Sequence, residues 1–341
     1  MRSVLFIPPL SRMSGGLANL YQLAQDLRDL GHEVALVCPG NKAAAFDEMM
    51  RQGFTGLSWE ALTLSSSDLW LVPESWPNAI GPGLNQGASA VVYAQSWNFL
   101  LTTLPAGVRW RQLPVRFLAV SRPVAWFMEE VLEVKVAGIL PPSLHPSFLE
   151  AKETRLGKSV RIAWMPRKNR ALAEHIRQVA EAALARHADA PPVDWVEIHN
   201  LALPEVAAAF ASCHIFLSTA FPEGFGLPPL ESMAAGCVPV GFTGFGGWEY
   251  MRQAGGASHA PPFPLPKTTE GGNGFFFADG DIMAAGLGLA SAIHMASANA
   301  PDWRAIVHAG KMTAKQYAQE TRKPLLAALW TELTAPHMPM P

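Results

Sequence analysis

The stretch that decides the fold is Glu223-Gly-Phe-Gly-Leu-Pro-Pro-Leu-Glu231, a glycine- and proline-rich turn with a carboxylate at each end. The apolar run His214–Ser218 before it is typical of a buried strand, and the run Leu230–Ala235 after it is typical of a helix that ends at Gly236. The pattern places one acid in the loop that leaves a strand and the other in the first turn of the next helix. In open α/β sheets, ligands bind outside the carboxyl ends of the strands.

The chemistry of this turn suits a phosphate group beside a hydroxyl-rich sugar. A helix start leaves N–H groups unpaired at the positive end of its dipole, and glycines let a ligand approach the backbone. The alternative is an ordinary Gly-Pro loop whose glutamates only complement the helix dipole. A second strand, Val238–Phe242, is followed by the loop Gly244-Phe-Gly-Gly-Trp-Glu249. Because adjacent loops of this kind line one crevice, the binding interpretation is favoured.

Bulk properties indicate a globular protein of two domains. The chain has 341 residues, of which 49% are hydrophobic and 16% charged, and its net charge of −2 gives no general attraction to nucleic acid. Three cysteines lie far apart without a CxxC pair, which is typical of buried thiols in a reducing compartment. The start Met1–Pro8 is too short for a signal peptide, and the apolar window Leu201–Phe221 divides into a helix and a strand, so we expect a cytoplasmic location.

Strand-like and helix-like segments alternate in both halves, which predicts parallel βαβ units. The pattern breaks in a proline-rich and then charged stretch, Ile139–Lys158, where we place the linker. Neither half has a dinucleotide G-x-G-x-x-G after its first strand, which weakens an oxidoreductase interpretation. The predicted strands are Val4–Ile7, Glu33–Val37, Asp68–Val72, Val91–Ala94 and Arg116–Val120, then Val160–Trp164, Val193–Ile198, His214–Ser218, Val238–Phe242 and the approach Gly271–Phe277.

The segment Ser218–Val240 resembles the signature of the retaining glycosyltransferases of family four, which have the GT-B fold: E-x7-E, then a Met-Ala-x-Gly-x-Pro-Val step from helix to strand. The resemblance implies an α/β fold of two Rossmann-like, doubly wound domains facing across a cleft, with a C-terminal helix crossing back to the first. We expect an acceptor-side domain over residues 1–150, a nucleotide-sugar-binding domain over 151–315 and the returning helix over 316–341. Pro301 and Pro324 would mark bends in the helical tail.

The resemblance also implies roles for the signature residues. Glu223 would face the donor sugar as a catalytic residue, and the amides of Phe225, Gly226 and Leu227 would contact the hydroxyls or phosphate of the donor. Glu231 would accept hydrogen bonds from the ribose hydroxyls, a task that suits an acceptor-only carboxylate.

A basic loop, Met165-Pro-Arg-Lys-Asn169, directly follows the first strand of the second half. Arg167 offers a planar fork and Lys168 a point charge, so the pair suits a diphosphate clamp, and a solvated surface loop is the alternative. Relatives separate these two cations by several residues, so which does which task stays open here. His199 ends a strand where relatives hold the base and is an expected nucleotide contact.

In the first half, Gly15-Gly16 resembles the glycine loop of the family, and a simple turn is the alternative. Relatives often carry a histidine near the strand that matches Val91–Ala94, where this chain has Gln95 and Ser96. Either would replace that histidine, and we expect Gln95 to contact substrate. A basic and aromatic group, which includes Arg109, Arg111 and Trp126, fits ordinary surface better than contact with a lipid-linked acceptor or a membrane.

We expect no metal and no cofactor. Asp279-Gly-Asp281 resembles a metal-binding Asp-x-Asp, but Asp281 fits better as a helix N-cap. The resemblance thus implies a retaining hexosyltransferase that uses a nucleotide-diphosphate sugar and a glycan or lipid-linked acceptor in bacterial surface polysaccharide synthesis, and we expect no nucleic-acid partner. Its location would be cytoplasmic, extending to peripheral contact with the inner membrane face. The alternatives are a GT-B epimerase or phosphorylase, or a non-catalytic binding subunit.

Overall fold

The computed structural model describes residues 1–40, 44–155, 158–255, 259–267 and 271–335. The chain forms two compact units, each built on one parallel β-sheet. The first contains Met1–Pro142 and the segment that starts at Glu320, and the second contains Ser143–Gln319. The expected boundaries at 150 and 315 lie within nine residues of these divisions. The segment 260–266 contains no helix or strand.

The first unit has a seven-stranded sheet in the order β3-β2-β1-β4-β5-β6-β7. Its strands alternate in the chain with helices, and Ser14 caps the first of these by accepting the Leu17 amide at 3.1 Å. The strands are β1 Arg2–Phe6, β2 Val34–Val37, β3 Thr55–Leu57, β4 Asp68–Pro73, β5 Ser89–Ala94, β6 Arg116–Ala119 and β7 Val136–Ile139; the helices are α1 Gly15–Asp29, α2 Ala44–Arg51, α3 Gly81–Asn85, α4 Trp97–Thr102 and α5 Arg122–Glu130.

The second unit has a five-stranded sheet in the order β12-β11-β10-β8-β9. From β8 the chain first adds β9 on one side and then adds β10, β11 and β12 on the other side. The direction in which strands are added therefore reverses between β8 and β10. The strands are β8 Val160–Trp164, β9 Val193–Glu197, β10 Ile215–Ser218, β11 Val238–Phe242 and β12 Phe275–Phe277; the helices are α6 Pro146–Leu149, α7 Arg170–Leu184, α8 Leu203–Ala211, α9 Leu227–Ala234, α10 Ile282–Ala298 and α11 Pro301–Lys315.

Apolar side chains on one face of this sheet and on the helices that cover it make a large core cluster of the second unit. Ile162, Leu217 and Val240 come from adjacent strands, and Ile176 of α7 and Leu289 of α10 pack with them. All five are almost fully buried. Burying side chains of this size contributes about 1.5–3 kcal/mol each, which holds the strand ends in fixed positions.

The last helix, α12 Gln319–Thr334, packs on the first unit, as the resemblance implied. Trp330 donates its indole N–H to the Ser3 hydroxyl at 2.8 Å. Leu329 packs on Gly138 of β7, and a Cβ added at Gly138 would lie 2.4 Å from the Leu329 Cδ1. Pro324 lies inside α12. Its ring removes one helical hydrogen bond and favours a kink, so the bend expected at this position stays a prediction.

Among the described residues, no single helix is both long and apolar enough to cross a membrane. The pair α10 and α11 meets the length and composition requirements only jointly, and the two helices meet at 103°. Six residues of α10 also belong to the apolar core of the second unit.

Candidate functional site

The carboxyl ends of all five strands of the second unit lie along one edge, because the strands are parallel. The loops after β8 and β10 flank the point where the strand order reverses, which is where open α/β sheets form a ligand crevice. These are the basic loop Met165–Asn169 and the signature loop that begins at Thr219. The two motifs that the sequence singled out are therefore neighbours in this unit.

An ion pair joins the two loops. Lys168 Nζ donates to Glu223 Oε1, and the two side chains are 29% and 21% exposed. Asn169, in a left-handed conformation at the N-cap of α7, donates its amide to the Thr219 carbonyl at 2.7 Å. The Thr219 hydroxyl in turn donates to the Lys168 carbonyl. The backbone of both loops is thus tied together, while the charged pair stays open to solvent.

The loop after β11 is hydrogen-bonded to the signature loop through the backbone. Glu223 N–H donates to the Gly244 carbonyl at 2.9 Å, and Gly246 N–H donates to the Glu223 carbonyl at 3.1 Å. A Cβ at Gly246 would lie 2.2 Å from the Gly224 oxygen, so only glycine permits this approach. Phe245 has φ 71° and ψ −58°, a strained conformation for a bulky residue that is enriched at functional sites.

Three adjacent backbone amides of the signature turn are free. Within the described residues, the N–H groups of Phe225, Gly226 and Leu227 make no hydrogen bond. The buried Tyr250 hydroxyl donates to the Gly226 carbonyl, and the Phe225 ring packs on Tyr250 and Tyr317 at centroid distances of 5.2 and 5.4 Å. Aromatic packing and one hydrogen bond therefore fix the direction in which these donors point.

The helix after the turn begins earlier than expected. α9 starts at Leu227, so Glu231 lies in its second turn and not in the first. Pro228 and Pro229 occupy the first turn, where a missing N–H costs no helical hydrogen bond. They also remove two of the amides that a helix start normally presents, which leaves the turn residues as the main donors.

Glu231 is half-buried behind the basic loop. Burial raises its pKa to about 7, and the positive charges of Arg167 and Lys168 partly oppose that rise. A carboxyl group with this pKa changes its charge near neutral pH, which is common for groups that act on ligands.

The other predicted residues of the second unit lie along the same edge. Arg167 is exposed and forms no ion pair with any residue that the structure describes. Arg170 is occupied by Glu174 at 3.3 Å and Glu197 at 3.6 Å, so it is a less suitable phosphate ligand. His199 is exposed, two residues after the end of β9, and makes no hydrogen bond within the described ranges.

The first unit brings its predicted residues together at its own strand ends. A Cβ at Gly16 would lie 3.6 Å from both amide heteroatoms of Gln95, so this side chain stands at the start of α1 beside Gly15. Glu74, which the sequence analysis missed, is buried after β4 and accepts the N–H groups of Gln95 and Ser96, each at 2.9 Å. Its position directly after a strand was the available signal.

Desolvation raises the pKa of Glu74 to about 7, although the amides that it accepts stabilise the charged form. In the part of the chain that the structure describes, no three His, Cys, Asp or Glu side chains cluster as metal ligands. Asp281 caps α10 by accepting the Ala284 amide at 2.9 Å, as predicted, and Asp279 accepts the Gly244 amide at 3.0 Å. Both acids therefore have structural partners.

A known glycosyltransferase resembles the chain in sequence. No protein-family model matches the chain. The chain is 24% identical to the α-1,6-glucosyltransferase of Actinobacillus pleuropneumoniae over 249 residues, which covers 68% of this chain and 69% of that protein.

Solved structures resemble the whole chain. A glycosyltransferase of Rickettsia africae has a TM-score of 0.72 at 12% identity and covers 98% of this chain and 99% of its own. Anabaena HepE in complex with UDP and glucose has a TM-score of 0.66 at 13% identity, with 97% and 100% covered. These similarities confirm the predicted fold of two parallel-sheet α/β domains, which is the fold of GT-B glycosyltransferases. By sequence, the chain is a homologue of a glycosyltransferase.

Proposed function

We propose that this chain is a metal-independent, retaining glycosyltransferase of the family-four type. It moves a hexosyl group from a nucleotide-diphosphate sugar to a glycan or lipid-linked acceptor in bacterial surface polysaccharide synthesis. It acts in the cytoplasm or at the inner face of the membrane. The single observation that carries the proposal is the Lys168–Glu223 pair at the switch point of the second sheet, next to three free amides.

The donor diphosphate would occupy the position between the basic loop and the free amides. Lys168 would exchange its contact with Glu223 for a contact with phosphate, and Arg167 would add a planar fork from the exposed side. Once released from Lys168, the Glu223 carboxylate can accept hydrogen bonds from sugar hydroxyls. The ion pair of the free protein thus keeps both groups positioned before the donor arrives.

The ribose of the donor would lie beside Glu231, with His199 toward the base. In the proposed reaction, the bond between the sugar C1 and the diphosphate oxygen breaks, and the acceptor oxygen bonds to C1 on the same face. The acceptor proton goes to the departing diphosphate. Because negative charge grows on that group, fixed cations and amides lower the barrier without a metal ion. The acceptor would bind at Gly15, Gly16 and Gln95 of the first unit.

The similarity to an α-1,6-glucosyltransferase and to a protein solved with UDP and glucose makes UDP-glucose the first donor to test. Thermal shift with UDP-, GDP-, dTDP- and ADP-sugars should reveal one stabilising donor. That donor should then release its nucleotide diphosphate in the presence of acceptor, and NMR of the product should show retained anomeric configuration.

The same experiment separates the alternatives. Conversion of the donor sugar without acceptor would identify an epimerase, and binding without any turnover would identify a binding subunit. If no nucleotide sugar stabilises the protein, the proposed donor site is wrong. Arg170→Met removes a neighbouring cation that is already paired and is therefore the matched control for Lys168→Met. We expect Arg170→Met to bind the donor like the wild type.

A further inference from the structure

A buried network of hydrogen-bonded polar groups in the first unit connects α12 with Gln95, which follows the end of β5. Arg322 of α12 is almost fully buried and donates to Asp26, to the Asn19 Oδ1 at 3.2 Å and to the Pro141 carbonyl at 2.8 Å. The Asn19 Nδ2 of α1 donates to the Tyr93 hydroxyl at 2.8 Å and to the Gln95 Oε1 at 2.9 Å. About 300 residues of sequence separate Arg322 from its partners Asp26 and Asn19 in α1, so these groups meet only in the folded unit.

Elementary hydrogen-bond chemistry fixes the direction of every link. Arginine has donors and no acceptor, so the oxygen of the Asn19 amide must face Arg322. The nitrogen of the Asn19 amide then faces Gln95, so Gln95 must accept this hydrogen bond with its side-chain oxygen. The Tyr93 hydroxyl fits the same direction, because it accepts from Asn19 and donates to the Leu140 carbonyl at 2.5 Å.

The nitrogen of Gln95 is left over at the end of this network. Within the described residues, Gln95 Nε2 makes no hydrogen bond, and it stands over Gly16 at the start of α1. The backbone beneath it is held as firmly as the side chain, since buried Glu74 accepts the N–H groups of both Gln95 and Ser96. The unit therefore presents two N–H donors of one amide in a fixed position.

We propose that Arg322 and Asn19 are positioning residues that orient the Gln95 amide with its nitrogen outward, so that Gln95 recognises an oxygen atom of the ligand as a hydrogen-bond acceptor. That oxygen belongs to a sugar hydroxyl or to a phosphate group, and a cationic group is rejected. The identification of this ligand as the acceptor substrate rests on the proposed function. The orientation of the amide does not.

Side-chain amide NMR of the full chain labelled with [15N]asparagine and [15N]glutamine tests the orientation first. The Gln95 and Asn19 signals are assigned by their loss in Gln95→Glu and Asn19→Leu. We expect the Gln95 Nε2 protons to exchange rapidly with water and the Asn19 Nδ2 protons to be protected. Protected Gln95 protons would overturn the proposed orientation, whether or not the chain transfers sugar.

Asn19→Leu removes the link and leaves Arg322 with Asp26 and Pro141, and Tyr93 with Leu140, so we expect this variant to fold. Arg322→Met breaks a buried ion pair and is the more disruptive change. Lys323→Met is the matched control, because Lys323 is the next residue of the helix and its contact with Asp29 at 2.8 Å is at the surface. A positioning role predicts altered Gln95 signals in Asn19→Leu and wild-type signals in Lys323→Met.

Recognition is then tested with inorganic phosphate and methyl α-glucoside as probes. A saturable shift of the Gln95 signals with phosphate indicates a phosphate oxygen, and one with the glucoside alone indicates a hydroxyl. The affinity obtained from either titration should be about five- to tenfold lower in Asn19→Leu than in the wild type. This is the size expected for the loss of a neutral hydrogen bond. No shift with either probe, or equal shifts in Asn19→Leu and the wild type, would overturn the recognition step.

Discussion

Lys168 and Glu223, 55 positions apart in the sequence, form an ion pair across the reversal point of the second sheet. The pair is partly exposed, and such pairs contribute about 1 kcal/mol or less to stability. The hydrogen bonds from the Asn169 and Thr219 side chains to backbone carbonyls already hold the two loops together without it. Its position is therefore better explained by the diphosphate and sugar that we propose to bind there.

Replacing Lys168 should separate stability from binding. In Lys168→Met we expect the free energy of unfolding to change by about 1 kcal/mol or less, because the lost pair is open to solvent. Donor affinity should fall about 10- to 100-fold, as expected for a lost hydrogen bond to a charged group. Calorimetric titration with UDP-glucose, or the donor that the screen selects, measures the effect. Wild-type affinity in this variant would refute the phosphate role of Lys168.

The close approach of the two glycine loops predicts a difference between adjacent residues. Gly246→Ala forces a Cβ against the Gly224 backbone, so it should destabilise the protein by more than about 2 kcal/mol and abolish donor binding. In Gly247→Ala the new Cβ meets only the flexible end of Met251, and the cost should be about 1 kcal/mol. Denaturant unfolding compares the two. Equal costs would contradict the described loop contact.

Donor binding should improve as the pH rises through the pKa of Glu231, which is about 7. Only the ionised carboxylate accepts both ribose hydroxyls, so binding requires loss of the proton. For a group with this pKa, affinity should rise about tenfold from pH 6 to pH 8. Titrations of the wild type and Glu231→Gln at several pH values test this. The variant should bind weakly and without pH dependence; a pH profile identical to that of the wild type would assign the titration to another group.

Stability should show the opposite trend with pH because of Glu74. Its pKa lies near its ordinary value in the unfolded chain and at about 7 in the folded one, so the folded state holds the proton more tightly. The corresponding stability is full below about pH 4.5 and is lost as the pH rises to 7, by up to about 3 kcal/mol. Glu231 adds to the same trend. Urea unfolding from pH 5 to pH 8 should show a smaller decline in Glu74→Gln, and an unchanged slope would mean that Glu74 ionises normally.

Activity should survive an excess of chelator. Arg167, Lys168 and the three free amides supply the positive groups that a metal ion would otherwise provide to the leaving diphosphate. The measurement is the rate of transfer before and after EDTA treatment. Complete loss that a divalent ion restores would contradict the metal-free proposal.

The strands next to the site could be predicted closely, because their signals are local. The bounds of β8 and β11 agree with the prediction residue for residue, since both are mainly apolar runs, interrupted by a charge only at Arg161 of β8. The two edge strands of the first sheet, β3 and β7, gave no such signal. β3 is largely exposed, and β7 contains Gly138, whose role depends on Leu329 of a helix almost 200 residues later.

The site itself was only partly predictable. Motif resemblance selected Glu223, Glu231 and the basic loop, and the structure places these on one sheet edge. The pairing of Lys168 with Glu223, the aromatic support of Tyr250 and the burial of Glu74 depend on contacts between distant segments, which spacing alone does not encode. The start of α9 was misplaced because two prolines resemble a loop, although both fit the first turn of a helix.

A crystal structure with the intact donor sugar nucleotide tests the central claim most directly. We predict that the diphosphate lies within hydrogen-bond distance of Lys168 Nζ and the Phe225–Leu227 amides, that the Lys168–Glu223 contact is broken and that Glu223 faces the sugar. A diphosphate bound elsewhere, with the Lys168–Glu223 pair intact, would contradict the account.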